Sequence, residues 1–155
     1  WSAKTEVKLN GRKLEGVQAG SYFTVDHEWK LGDIVEIRFD MPVVAHTFDH
    51  NVAFTRGPVL LARDSRLDNG ADQTEPYRRG IRDGQSMPTF AGVRSPCDDI
   101  WMAFSATLPI GSHSENPEGR YPETVFFCDY ASAGNTWHRD NYYRTWFQME
   151  WNPTE

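Results

Sequence analysis

The chain of 155 residues holds two cysteines, Cys97 and Cys128, and neither sits in a Cys-x-x-Cys pair. A zinc ribbon is therefore missing as a motif, and the two thiols could either pair or both lie buried, since sequence does not set their separation. No apolar run approaches the ~20 residues of a membrane-spanning helix. Basic residues are few: 16 Lys and Arg stand against 22 Asp and Glu, a net charge of −6. With no Lys/Arg stripe to offset that balance, a nucleic-acid backbone is a poor partner. There is no Gly-x-Ser-x-Gly elbow, no P-loop and no dinucleotide-binding glycine fingerprint. No stretch of ten or more residues carries a convincing helical period of apolar positions. The opening Trp1-Ser2-Ala3-Lys4 has neither Met nor an apolar h-region, so it does not read as a signal peptide. It reads as the start of an excised fragment.

What is present is globular in balance, with 39% hydrophobic and 25% charged residues. A chain of this length buries enough surface to fold without a disulfide or a metal. Aromatics are abundant: six Trp, six Tyr and nine Phe. Such rings pack β-sheet cores and interfaces, and they also stack on sugar rings.

The pattern along the chain is one of short strands and turns. Val7-Lys8-Leu9 alternates and meets Asn10-Gly11, a hairpin signal. Tyr22 to Val25 is β-prone, and Trp29 to Asp33 holds a turn. From Ile34 to Asp40 the alternation is clean, with Val35, Ile37 and Phe39 on one side, which predicts a half-buried strand stopped by Met41-Pro42. Val43–Phe48 and Asn51–Thr55 are further strands, and Val59–Ala62 is a run suited to burial on both faces. Ile100 to Leu108 (Ile100, Met102, Phe104, Ala106 and Leu108 on one face, Trp101, Ala103, Ser105 and Thr107 on the other), Thr124 to Tyr130 and Tyr142 to Trp151 complete the set. In the last of these, Tyr143, Thr145, Phe147, Met149 and Trp151 share a face against Tyr142, Arg144, Trp146, Gln148 and Glu150. The expected class is all-β, an antiparallel sandwich of jelly-roll type. Residues 1–63 form its first part, 64–86 a polar exposed connector, and 87–155 a C-terminal β region completing the same sandwich.

Chemistry-bearing positions are fewer. His46 and His50 lie four apart in strand-like sequence, where that step spans roughly 13 Å, too far for one ion. No metal or cofactor is expected. Asp64, Asp68 and Asp72 read as loop solvation, as does Asp98-Asp99, although a glycosidase needs only two carboxylates across a cleft. The loop from Asp129 to Trp137 is the most informative stretch. Its small residues allow close backbone approach, and Asp129, Asn135 and Trp137 offer hydrogen bonds and a stacking face to a sugar. The alternative is a tight connection whose Asp caps its own backbone. Tyr142 and Trp146 add two aromatic candidates on one strand face.

The order Val7-Lys8-Leu9-Asn10-Gly11, Gly20 to Val25, Trp29 to Ile37, Met41-Pro42 and Asn51 to Val59 resembles a known region. It is similar to the β-sandwich that follows the helical barrel in the β-L-arabinofuranosidase-like glycoside hydrolases of family 127. The resemblance runs over residues 1 to 63. It departs from the family pattern at Ser21-Tyr22, where Gly-Tyr is usual, and at His27, near a usual Arg. The second half resembles the small C-terminal domain of Bacteroides-type members.

The resemblance implies a non-catalytic accessory domain of a carbohydrate-active enzyme, packed against a catalytic barrel of the same polypeptide. In that family the catalytic pair and the metal cluster lie on the barrel, so no catalytic residue carries over to this chain and the fragment is expected not to be an enzyme by itself. The parent would be secreted or periplasmic. A first strand lost before Trp1 would leave an open sheet edge, disposed to pair with a neighbouring chain as a dimer. The remaining readings are a polysaccharide-binding module using surface Trp and Tyr, and a self-sufficient hydrolase.

Overall fold

The computed structural model describes residues 1–67, 77, 81–87, 90–108, 110, 123–136, 138–139 and 141–150. Eleven strands and no helix are found among them, all-β and largely antiparallel as the alternation predicts. The chain divides into two compact units, Trp1–Pro42 and Val43–Glu155. The boundary drawn from composition at residue 63 thus falls inside the second unit.

The first unit is a three-stranded sheet in the order β2 (Arg12–Leu14), β1 (Glu6–Leu9), β3 (Val35–Arg38). Asn10 and Gly11 both take left-handed φ, 50° and 78°, the geometry for which an Asn-Gly pair is selected in a two-residue hairpin. Pairing sets Val7 opposite both Leu14 and Ile37, and Leu9 opposite Val35 and Arg12. One face of the sheet therefore carries Val7, Leu9, Leu14, Val35 and Ile37, while Glu6, Lys8, Lys13, Glu36 and Arg38 fill the other. Lys8 Nζ lies 3.2 Å and Lys13 Nζ 3.7 Å from the Glu6 carboxylate.

Asp33 fixes the entry to β3. Its carboxylate accepts from Asn10 Nδ2 at 2.8 Å and Lys30 N–H at 2.7 Å, and pairs with His27 Nε2 at 3.0 Å. Those bonds, Asn10 first, hold its carboxyl below the usual carboxylate range. Two expectations change here. Tyr22–Val25 forms no strand, because among the described residues no strand pairs with it. The strand at Ile34–Asp40 shortens to β3 and is exposed rather than half-buried: among the described residues no second layer covers its apolar face, and Val7 is the one buried residue of residues 1–42.

In the second unit β4 (Val43–Phe48), β5 (Asn51–Arg56), β6 (Val59–Asp64), β7 (Ala91–Val93), β8 (Ala103–Leu108), β9 (Glu123–Asp129), β10 (Tyr143–Arg144) and β11 (Phe147–Gln148) build one sheet. β4 and β5 pair along their full length, and β8 and β9 do the same. The main core takes Val43, Ala45, Val52, Phe54, Leu61, Phe104, Ala106, Leu108, Val125, Phe127 and Phe147, with Tyr77 and Ile110. Phe54 is its hub, with ring centroids 5.7 Å from Tyr77, 5.8 Å from Phe127 and 6.2 Å from Phe147.

A smaller cluster joins Ala62, Ala103 and Cys128, which alternate with the main-core residues of their strands, to Leu67 and Ile100 outside the strands. The central strands are buried on both faces, as the apolar run at Val59–Ala62 predicts. Ile100 belongs to this second cluster, not to the Phe104 face, because β8 begins only at Ala103.

Residues 143–148 replace the single final strand expected from Tyr142 to Trp151. β6 pairs with β5 through Leu60 and Val59, then with β10 through Arg63 and Asp64, while β5 pairs with β11 through Asn51 and Val52. Each partner is antiparallel, so the chain reverses between β10 and β11, at Thr145–Trp146. The short segment thus wedges into the splayed mouth of the β5–β6 hairpin. Trp151 lies outside the described residues.

Candidate functional site

Two loops meet at the end of the β6–β9 pair, and both are organised by aspartates that close their strands. Asp129 ends β9 almost fully buried. Its carboxylate accepts from Met102 N–H at 2.9 Å and Ser132 N–H at 3.0 Å. Ser132 Oγ donates to the same group at 2.7–2.8 Å and accepts from Trp101 N–H at 3.0 Å.

Asp64 ends β6 and is also buried. It accepts from Arg66 N–H at 2.9 Å, Arg66 Nε at 2.8 Å, Arg66 Nη2 at 2.8 Å and Gly134 N–H at 2.8 Å. Arg66 in turn donates through Nη2 to Ser132 O at 2.7 Å and through Nη1 to Asn135 Oδ1 at 2.9 Å. Asn135 Nδ2 continues to Asp99 O at 2.8 Å. One guanidinium therefore ties the 129–136 loop to β6.

Burial works to raise the Asp64 carboxyl, but the Arg66 side chain, the Arg66 and Gly134 N–H groups and the Arg66 charge together hold it below its ordinary value. The same pairing lifts Arg66 above its own. Asp64 is thus a correction to the sequence reading: it is not loop solvation but a buried partner. The neighbouring connector also differs from expectation where it is described, since Leu67 and Tyr77 are core residues. Asp68 and Asp72 lie outside the described residues.

The small residues of the loop do permit a close approach, and the object approached is Tyr143. A Cβ built on Gly134 (φ +64°) would stand 2.6 Å from two Tyr143 ring carbons. Cys97 and Cys128 are both free thiols, and burial pushes Cys128 up to about 12.

Of the residues singled out from sequence, Asp129 and Asn135 come together here, and their polar atoms are engaged by the loop's own fold. Tyr142 joins through its backbone: its N–H donates to Ser65 Oγ at 3.2 Å and its carbonyl accepts from Ser65 N–H at 3.0 Å. Tyr142 and Trp146 are both nearly half exposed, but the bend at Thr145–Trp146 means that they do not share one strand face. Trp137 lies outside the described residues. His46 donates or accepts at Thr55 Oγ1, 2.8 Å away, and His50 sits in the left-handed turn between β4 and β5.

Beside this network runs a groove of about 350 Å³, lined by Pro58, Leu60, Trp101, Met102, Tyr130 and Ala131. Trp101 is 74% exposed. It is not singled out from sequence, because it precedes β8 and strand alternation does not fix its face. Tyr130 and Tyr143 meet edge to face, 5.9 Å apart, extending the aromatic surface.

Residues 1–41 match the family model described as beta-L-arabinofuranosidase, GH127 middle domain. Residues 1–41 are thus similar to the GH127 middle domain. Three solved structures share its fold. One is described as a glycoside hydrolase, with a TM-score of 0.63 at 20% identity over 97% of this chain. A second is a GH127 beta-L-arabinofuranosidase from Geobacillus stearothermophilus T6, with a TM-score of 0.56 at 18% identity over 97% of the chain. A third is a GH127 beta-arabinofuranosidase, with a TM-score of 0.58 at 19% identity over 95% of the chain. The chain covers 26%, 25% and 23% of these proteins respectively, so it spans about a quarter of the length of the solved chains it matches. No curated protein matches it in sequence.

Proposed function

We propose that this chain is a non-catalytic accessory β-region of a GH127-type glycoside hydrolase, and that it packs against a helical catalytic barrel. The observation that carries this reading is the two-faced sheet of residues 1–42, within the matched segment. Its apolar side leaves Ile37 55% and Phe39 50% exposed, a contiguous patch of the kind that marks an interface. The buried carboxylates Asp64 and Asp129 support the non-catalytic part, because each is committed to its own loop.

Two measurements test it. The 155-residue chain should release no phenol from aryl arabinofuranosides, and turnover that disappears in an Asp variant of this chain would overturn the reading. In the polypeptide joining this chain to its barrel, Ile37→Asp should lower the melting temperature by several degrees while leaving kcat per folded molecule unchanged.

A second reading, a carbohydrate-binding module, is favoured by one feature: the exposed Trp101 at the groove, with Tyr130 beside it. Retardation of the chain in affinity gels containing plant cell-wall glycans, lost in Trp101→Ala or Trp146→Ala, would support it. Unretarded migration on all of them would remove it.

A further inference from the structure

The outer edge of β3 carries no strand among the described residues. β3 is the last strand of its sheet, and its one partner among the described residues is β1. The hydrogen-bond phase can be read from one contact: Asn10 N–H donates to Ile34 O at 2.9 Å. Successive residues of a strand direct their N–H and C=O to opposite edges. Ile34, Glu36 and Arg38 therefore face β1, and Val35, Ile37 and Phe39 present N–H and C=O outward.

We propose that this edge pairs with the same edge of a second copy of the chain, antiparallel, with Ile37 on the two-fold axis. In that register Ile37 meets Ile37 of the second copy, Val35 meets Phe39, and Glu36 meets Arg38. All three outward-facing residues fall in hydrogen-bonded pairs, as the phase requires. The charged residues fall in the closer non-hydrogen-bonded pairs, with opposite signs across the axis, twice. The strand is complementary to itself, as an isologous contact demands. The partner also suits the faces, since the apolar side of one sheet continues into that of the other as six strands.

Charge within the chain leaves this pairing available. Lys8, opposite Glu36 in the ladder, is bound to Glu6 at 3.2 Å, and Glu36 makes no salt bridge among the described residues. Other edges are less suited. β2 would set Arg12 and Lys13 against their own copies, a like-charge edge that discourages pairing. The outer edge of β4 is already covered, because Gly84 N–H donates to Ala45 O at 2.8 Å and Ala45 N–H to Gln85 O at 2.9 Å.

Sedimentation velocity of the 155-residue chain over a concentration series tests the pairing. A reversible dimer is expected, weakened about tenfold by Glu36→Arg or by Arg38→Glu alone, since each creates two like-charge contacts. Mixing the two single variants should restore association, because an all-basic strand then faces an all-acidic one. The double variant should restore it too. Ile37→Pro, which deletes an outward N–H while leaving the β1 ladder intact, should give a monomer with an unchanged circular dichroism spectrum. A chain that stays monomeric at every concentration, or a dimer indifferent to both charge reversals, overturns the proposal. Either result leaves the accessory-domain reading standing, because that reading concerns the face of the sheet and not its edge.

Discussion

Asp64 and Arg66 show what a buried charge does when it is fully partnered. Four donors converge on one carboxylate, and removing its charge would strand the guanidinium that ties the 129–136 loop down. Asp64→Asn should cost about 3 kcal/mol in urea unfolding, the loss typical of a broken buried pair. The pH dependence follows from the direction of the shift. A carboxyl held below its unfolded value contributes stability above the unfolded pKa of about 4, and loses it as pH falls through the lower folded pKa. The native chain should therefore lose stability below about pH 4 more steeply than Asp64→Asn does. None of this was legible in the sequence, where Asp64 sits in a run of Asp, Arg and Asn that looks solvated. The signal that it ends a buried strand lies in residues 59–63; its ionic partner Arg66 is two positions on, but the Gly134 N–H that completes its shell lies 70 positions away.

At the scale of elements, local pattern carried as far as local pairing did. The Asn10-Gly11 hairpin and the strands β4, β5, β8 and β9 follow from alternation and turn chemistry, and they are found close to where those place them. The last strand is different. Alternation from Tyr142 to Trp151 is compatible with one strand, but the splayed β5–β6 hairpin offers two separate edges, and the chain must turn back at Thr145–Trp146 to use both. Long-range geometry overrode the period. Gly134 belongs to the same wedge, since its missing side chain makes room for the Tyr143 ring. Gly134→Ala should destabilise the chain by about 1–2 kcal/mol from the left-handed φ alone, with a further steric loss. Adding Tyr143→Ala should relieve the steric part and leave the backbone part, a non-additivity visible in a double-mutant cycle.

For the whole molecule, the two units differ in what protects them. Residues 1–42 have one buried side chain, whereas β8 and β9 have one face in the main core along their length and Ala103 and Cys128 buried on the other. Native-state amide exchange should therefore be fast across β1–β3 and slowest in Phe104–Leu108 and Val125–Cys128, spanning the range from local opening to global unfolding. Protection in β3 approaching that of β8 would show that its face or edge is covered in solution, and a concentration-dependent rise confined to Val35, Ile37 and Phe39 would point to the edge.

The wedge has a further consequence for biosynthesis. Phe147 reaches the centre of the main core from 95 residues beyond its ladder partner Val52, and it also packs there against Phe54 and Phe127. A ribosome emitting this polypeptide must release every residue in between before the mouth of the β5–β6 hairpin can be plugged. Until then the second unit waits with an unfilled aromatic socket, which is the interval in which a chaperone would find it.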